Sequence, residues 1–400
     1  MPGLSQRVGR VELAASVQMT IKARELKAAG KPVITLTTGE PNFDSPPHAI
    51  EAAHQAALHG DTKYPPQDGT RALKQAIQRK FKRDSDLDYA LDEITISNGG
   101  KQCLFNAIMA TVDPGDEVII PSPSWIAYTQ MVQLCEGVPV FVSCPQNNAF
   151  KPRPEDIDAA VTPRTKWLIL NNPNNPTGAC CTAGEIGAIA AVMRKHPHVW
   201  MLSDDMYEHL VFDGFKFATF AQVAPDLKDR TLTVSGVSKT YAMTGWRVGF
   251  AGGPKLLIKA MTVMQGQATA GISTVGQAAA AAALDGPQDG VEAQIVAYKR
   301  RRDLAVTMLN AAPGISCHSP EGAFYVFPNV AGCLGKTTTG GRKLTNDEDV
   351  CLALLEEHYV ATVHGAAYHM SPFLRISTAT ADDELLEGLK RIQTFCEGLR

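Results

Sequence analysis

Short apolar runs alternate along this chain with longer stretches whose apolar positions recur every three or four residues. DEITIS, EVIIPS, VPVFVS, WLILNN, VWMLSDD and TLTVSG are of the first kind and predict strands. Between them AIEAAHQAALHG, GTRALKQAIQRKFKR, KQCLFNAIMATV, SWIAYTQMVQLC and GEIGAIAAVMRKH carry the helical period. Pro46 and Pro47 open the first of these helices and Gly60 ends it, while NGG and DPGD bracket the third. Strands that are apolar throughout, separated by helices, predict an α/β fold with a mostly parallel sheet covered on both faces.

This alternation runs from about residue 46 to about residue 290, which marks a large domain over 46–290. Beyond it the pattern changes. A long basic-faced helix, QIVAYKRRRDLAVTMLN, leads into GISCHSPEGAFYVFP, a glycine-rich loop, another helix, and HYVATVHGAAY with FLRIST. These predict a smaller α+β domain over 291–400, against which the N-terminal segment 1–45 is expected to pack. The run AAAAAAL near residue 280 reads as a tightly packed helix, not a linker.

Composition narrows the class. Four hundred residues exceed what one core usually organises, in keeping with two domains. A net charge of −3 offers no electrostatic reason to bind nucleic acid. No apolar run approaches the roughly 20 residues that cross a bilayer, so no membrane partner is expected. MPGLSQRVGRVELAAS lacks the apolar core of a secretory signal. Nine scattered cysteines, an odd number without a repeated C-x-x-C, favour reduced thiols and a cytoplasmic location.

Several enzyme classes lose their usual handles. No two glycines are spaced G-x-G, and G-x-x-x-x-G-K-[ST], G-x-S-x-G and H-E-x-x-H are absent. The histidines form no ligand cluster in sequence, and no metal is expected. What the chain offers instead matches a cofactor with a phosphate, a ring nitrogen, a phenolic oxygen and an aldehyde. Gly99, Gly100 and Lys101 fall at a strand-to-helix turn, where free N–H groups and the helix dipole favour an anion. Ser238 and Lys239 follow a strand, and Arg247, eight residues on, can grip a phosphate with two parallel hydrogen bonds. Asp204 ends an apolar strand, with Tyr207 three residues later; a carboxylate there would keep a pyridine ring protonated. NNPNNPTG holds two prolines among four asparagines, a rigid loop whose amides are free to bond a ligand, and Asn175 is the candidate donor to the phenolic oxygen. Each signal alone also has a plain structural reading as turn, strand end or surface charge.

Together NNPNNPTG, SDDMYEHL, SKTYAMTGWRVGF, EGAFYVF and FLRIS, in this order, resemble fold-type I, class I aminotransferases, and among them the bacterial aspartate/prephenate branch. The likeness runs from about residue 3 to the C-terminus. It implies a seven-stranded-type sheet, pyridoxal 5'-phosphate as cofactor, and a homodimer with active sites at the interface. By the same resemblance Lys239 carries the cofactor, Arg247 and the Gly99–Lys101 turn hold its phosphate, and Trp125 stacks on its ring. Arg375 would clamp the substrate α-carboxylate with Gly39 nearby, and Tyr64 would reach the partner subunit's phosphate. The expected reaction is ping-pong transfer of an amino group between an L-amino acid and a 2-oxo acid, with the Lys239 amine as general base.

Two departures from the family pattern bear on specificity. Gly236 stands where many members carry serine, and Glu12 stands where the branch commonly has a basic residue. QGQATAGISTVGQ also lacks the arginine that other aspartate aminotransferases use for a second carboxylate, which leaves Lys101 as the candidate. Aspartate with 2-oxoglutarate is one expected pair; aromatic, prephenate or other non-acidic substrates are alternatives. A pyridoxal-phosphate lyase or decarboxylase would share most of this pocket. A cofactor-sensing regulatory domain would need a DNA-binding module, for which 45 residues leave little room.

Overall fold

The computed structural model describes residues 3–400. Its largest sheet has seven strands: β1 (Ile94–Asn98), β2 (Glu117–Ser122), β3 (Val138–Ser143), β4 (Thr165–Asn171), β5 (Trp200–Asp204), β6 (Thr231–Gly236) and β7 (Val248–Gly252). Across the sheet the order is β1-β7-β6-β5-β4-β2-β3. Side chains alternate between two apolar cores, as pleating requires. Val118, Ile120, Trp167, Ile169 and Leu202 enter one core with helices Gly100–Thr111 and Lys255–Ala268. Ile119, Leu168, Leu170 and Met201 enter the other with helix Ala183–Lys195. Burial on both faces is why these strands read as unbroken apolar runs. VPVFVS reads the same way but forms the edge strand β3, where Val138 is 45% and Phe141 41% exposed.

β7 is the exception to the parallel pattern. It runs antiparallel to β6 and to β1, while the other neighbours pair in parallel. The reason is the length of its connection. Parallel neighbours need a crossover of a dozen or more residues, whereas residues 237–247 hold only the short helix Val237–Thr240 and a single turn. Lys239 therefore lies on a tight link at the sheet's edge.

A further core joins helix Ala15–Ala28 through Met19 and Ala23 to helices Asp289–Ala311, Asp347–His358 and Asp382–Glu397. Ile34–Thr35 pairs in parallel with Val360–Ala361. Leu374–Ser377 is the middle strand of a small antiparallel sheet between Tyr325–Val326 and Val363–His364. Within the described part of the N-terminal segment, residues 6–10 lie apart from this core. Gln6–Arg10 buries no side chain and lies against the helix Ile126–Leu134 region. There Arg10 pairs with Glu136 at 3.0 Å, and Gln130 donates to the Glu12 carbonyl at 2.6 Å. Polar contacts and not an apolar stripe choose that docking place, so hydrophobic periodicity could not reveal it. Among the described residues no helix is long and apolar enough to cross a membrane.

Candidate active site

Ligands of open α/β sheets gather beyond the carboxyl ends of the strands, and here β1, β2, β4, β5 and β6 all end on one edge, where β7 begins. Asn98 pairs with Val248, so Arg247 arrives beside the Gly99–Gly100 turn. Gly99 has φ +81°, and a Cβ there would lie 2.4 Å from Arg247 Nη2, so a larger residue would have to push the guanidinium aside. Arg247 donates to the carbonyls of Thr244 (2.9 Å) and Asn98 (3.1 Å). Among the described residues no carboxylate pairs with it. A free guanidinium at the start of helix Gly100–Thr111 is an anion site.

The asparagines of the β4 loop divide their work. Asn174 Oδ1 accepts from the backbone N–H and hydroxyl of Thr177, closing the turn. Asn171 Nδ2 donates to the Asp204 carbonyl at 2.9 Å, and its Oδ1 receives the Asn175 N–H at 2.7 Å. That leaves the Asn175 side chain facing the cavity, with its Oδ1 accepting from Arg375 Nη1 at 3.2 Å.

Asp204 closes β5 and is 4% exposed. Burial pushes its carboxyl up to about 6, against the pull of the Tyr128 hydroxyl, the Met206 N–H and the charge of Lys239. It stays mainly anionic at neutral pH. Tyr128 donates to one oxygen at 2.5 Å and Met206 N–H to the other at 3.2 Å. Tyr207 meets Tyr325 hydroxyl to hydroxyl at 2.9 Å, and Tyr325 crowds Gly39, where a Cβ would lie 2.3 Å from its oxygen.

Lys239 donates to the Gly39 carbonyl. Burial, reinforced by the positive charges of Arg375 and Arg247, lowers its ammonium to about 8; Glu40 and Asp204 act the other way. Arg375 is 4% exposed, donates to the Thr37 carbonyl, and stands 4.7 Å over the Tyr325 ring. Its Nε is buried without a partner, and among the described residues no carboxylate pairs with it. A buried guanidinium in that state is poised for an anionic ligand.

These groups share one cavity of about 550 Å³. Every residue given a role from the sequence lines it except Gly99, one step behind its wall, and Tyr64. Tyr64 is 94% exposed and lies beside residues 269–273. Glu12 is also off the cavity. Lys101 sits at the rim with its Nζ 5.2 Å over Trp125, its ammonium held below the ordinary value by burial and by Arg247. Arg24, Lys101, Arg247 and Arg375 line the space against the acids Asp204 and Glu40, which favours an anionic ligand. Sequence reading missed Tyr128 and Tyr325. Tyr128 lies one helical turn after Trp125, inside a run that reads as core, and Tyr325 lies inside EGAFYVF, which gave no hint of a hydroxyl facing Tyr207. The donor set fits pyridoxal phosphate: a cation and free N–H groups for phosphate, a buried carboxylate for a ring nitrogen, and an amine lowered toward neutrality.

Known proteins give the same picture. The model for the family "Aminotransferase class I and II" matches residues 31–392. The aspartate/prephenate aminotransferase of Cereibacter sphaeroides is 53% identical over all of both chains. The crystal structure of the aspartate aminotransferase from Rhizobium meliloti superposes with a TM-score of 0.98 at 50% identity, over all of both chains. That of Thermus thermophilus with maleate gives 0.92 at 39%, covering 99% of this chain and all of the other.

Proposed function

The chain belongs to the class I and II aminotransferases, and on that premise we propose that Lys239 carries its pyridoxal phosphate and moves the proton of the reaction. When bound, this cofactor is an electron sink that acidifies the α-hydrogen of an amino acid. One observation carries the assignment: the lowered Lys239 amine shares its cavity with a buried anion, Asp204, and a buried cation lacking an acid, Arg375. With a pKa near 8, roughly a tenth of the Lys239 amine is free base at pH 7, against less than about one part in a thousand for an ordinary lysine. Lys239 Nζ thus accepts the α-proton of the donor and returns a proton to the α-carbon of the acceptor.

Asp204 would keep the ring nitrogen protonated. Tyr207 and Asn175 would address the phenolic oxygen, and Trp125 the ring face. Arg247, Ser238 and the Gly99–Lys101 turn would hold the phosphate. Arg375, with Gly39 beside it, would bind the α-carboxylate. The proposed donor is aspartate, with 2-oxoglutarate as acceptor, and Lys101 would meet the second carboxylate. Two bodies are proposed, 46–290 and 291–400, with the cavity between them. A homodimer is proposed as well, in which the exposed Tyr64 reaches the partner's phosphate; Leu4, Val8 and Leu13, all more than half exposed, support such a covered surface. Nine free cysteines, eight of them buried, support a cytoplasmic, reducing location.

A panel of amino donors against 2-oxoglutarate, oxaloacetate and pyruvate tests the substrate. Aspartate with 2-oxoglutarate should turn over fastest; release of ammonia or carbon dioxide in place of a new amino acid would overturn transfer. Lys101→Met should raise KM for aspartate by roughly ten- to a hundredfold, the worth of a charged hydrogen bond, while alanine is affected less. Equal effects on both donors would remove Lys101 from that role. Tyr128→Phe withdraws a donor from the buried Asp204 anion, and cofactor affinity, read by spectroscopic titration, should fall by about tenfold or more.

A further inference from the structure

Behind the cavity wall lies a buried polar cluster that none of these roles uses. Glu208, 6% exposed, follows Tyr207 directly and Asp204 by four residues. Its Oε1 accepts from Ser235 Oγ at 2.6 Å, and its Oε2 from Lys80 Nζ. Lys80 comes from helix Arg71–Ser85, is 2% exposed, and also lies 3.6 Å from Asp84. Ser235 is four residues before Lys239. None of Glu208, Ser235 and Lys80 lines the cavity.

The position of this link matters because of where the backbone ladder stops. β5 and β6 pair in register as far as Asp204 with Val234, and the Asp205 N–H still bonds the Val234 carbonyl at 2.8 Å. Past that point the β5 chain leaves the sheet toward Tyr207, while β6 stays paired with β7 through Ser235 and Gly236 before turning into the helix that bears Lys239. The Glu208–Ser235 bond begins where the main-chain pairing between β5 and β6 ends, tying the chain after β5 to the last stretch of paired backbone before Lys239. We infer that Glu208 is a positioning residue, anchored by Lys80, which through Ser235 sets the turn bearing Lys239 against the turn bearing Asp204 and Tyr207. This rests on the roles proposed for those three residues.

The charge pattern agrees. Asp205, fully buried beside the cluster, accepts from Ser203 Oγ at 2.7 Å, and its other oxygen has no partner. Burial and the negative charge of Glu208 push it up to about 8, so it is mainly neutral at pH 7 and adds no third anion beside the Lys80 ammonium. Asp84, Glu208 and His209 hold one potential ligand atom each within 4.8 Å of one another, a spacing that suits a metal ion. The Lys80 ammonium, in contact with both carboxylates, already supplies the cation.

The test uses the holoenzyme and Ser235→Ala, which removes one buried hydroxyl and little volume, with Glu208→Gln beside it. The readouts are the pH midpoint of the bound cofactor's visible band, kcat and KM separately, and thermal stability. The control is Glu117→Gln, an equally buried carboxylate at the opposite end of β2, bonded to Thr162 and Arg164. Ser235→Ala should move the band midpoint by roughly half a pH unit and lower kcat about tenfold with KM within about twofold, since a 1 Å misplacement can cost a hundredfold. Glu117→Gln should lower thermal stability and leave the midpoint in place. A Ser235→Ala enzyme that melts earlier but keeps the wild-type midpoint and kcat overturns the inference, whether or not Glu208→Gln folds. Lys239→Ala separates the two levels: retention of the lysine-linked band there sinks the underlying assignment, not this link alone.

Discussion

Lys239→Ala should abolish measurable amino transfer, with a loss of at least about four orders of magnitude. A positioned general base alone accounts for up to about 10⁴-fold, and here the same amine also anchors the cofactor. The change leaves the surrounding cavity walls in place, because the main polar contact of the lysine is one backbone carbonyl, that of Gly39. Borohydride treatment of wild-type holoenzyme should fix a cofactor mass on the peptide containing residue 239, and the variant should gain none there. Turnover near the wild-type level, or an adduct on Lys101 in the wild type, would remove Lys239 from its place. The wild type carries a pH signature as well. A nitrogen lowered to about 8 becomes nucleophilic as pH rises through 8, so the rate at which apoprotein takes up cofactor should climb over that range and then level. Arg375→Leu removes a positive neighbour that helps depress the amine, so its midpoint should move upward.

Asp204→Asn should be the next most damaging change. The aspartate is fully enclosed, and two donors converge on it, Tyr128 and the Met206 N–H. An amide of the same shape offers one acceptor and an NH₂ group, so one of those donors must face another donor, and the anion that would balance a ring cation is gone. Removing one partner of a buried ion pair costs about 3–5 kcal/mol, which corresponds to roughly two to four orders of magnitude in kcat. Cofactor should still bind through Arg247 and the helix start, so the protein should remain coloured while turning over slowly. Asp204→Glu keeps the charge on a longer stem and should recover part of the rate. An Asp204→Asn enzyme within about tenfold of wild type would deny the carboxylate its role. The Lys239 and Asp204 results are also distinguishable from each other, because only the first removes the covalent link.

The polar loop and the catalytic strand ends were readable in one dimension for a clear reason. Strands buried on both faces are mostly apolar, so a polar group at the end of such a run stands out, as Asn171 does after WLIL and Asp204 after WMLS. The prolines of NNPNNPTG and the glycines at 99 and 100 mark backbone that cannot continue regular structure. Family likeness then supplied the roles, and with them the class of reaction.

What remained for the folded chain to decide is a matter of partners far apart in sequence. Tyr128 reaches Asp204 across 76 positions, Tyr207 meets Tyr325 across 118, and Lys80 meets Glu208 across 128. No local period records such pairs, and Lys80, Tyr128 and Tyr325 read as ordinary helix or core residues until neighbouring elements close around them. β7 turned antiparallel because a short link permits nothing else, and that reversal sets Arg247 beside Gly99. The sequence alone thus determined which groups were present and on which kind of element, since solvent exclusion dictates those patterns locally. Tertiary packing decided which groups touch, and through burial and neighbouring charge it brought one lysine amine close to neutrality.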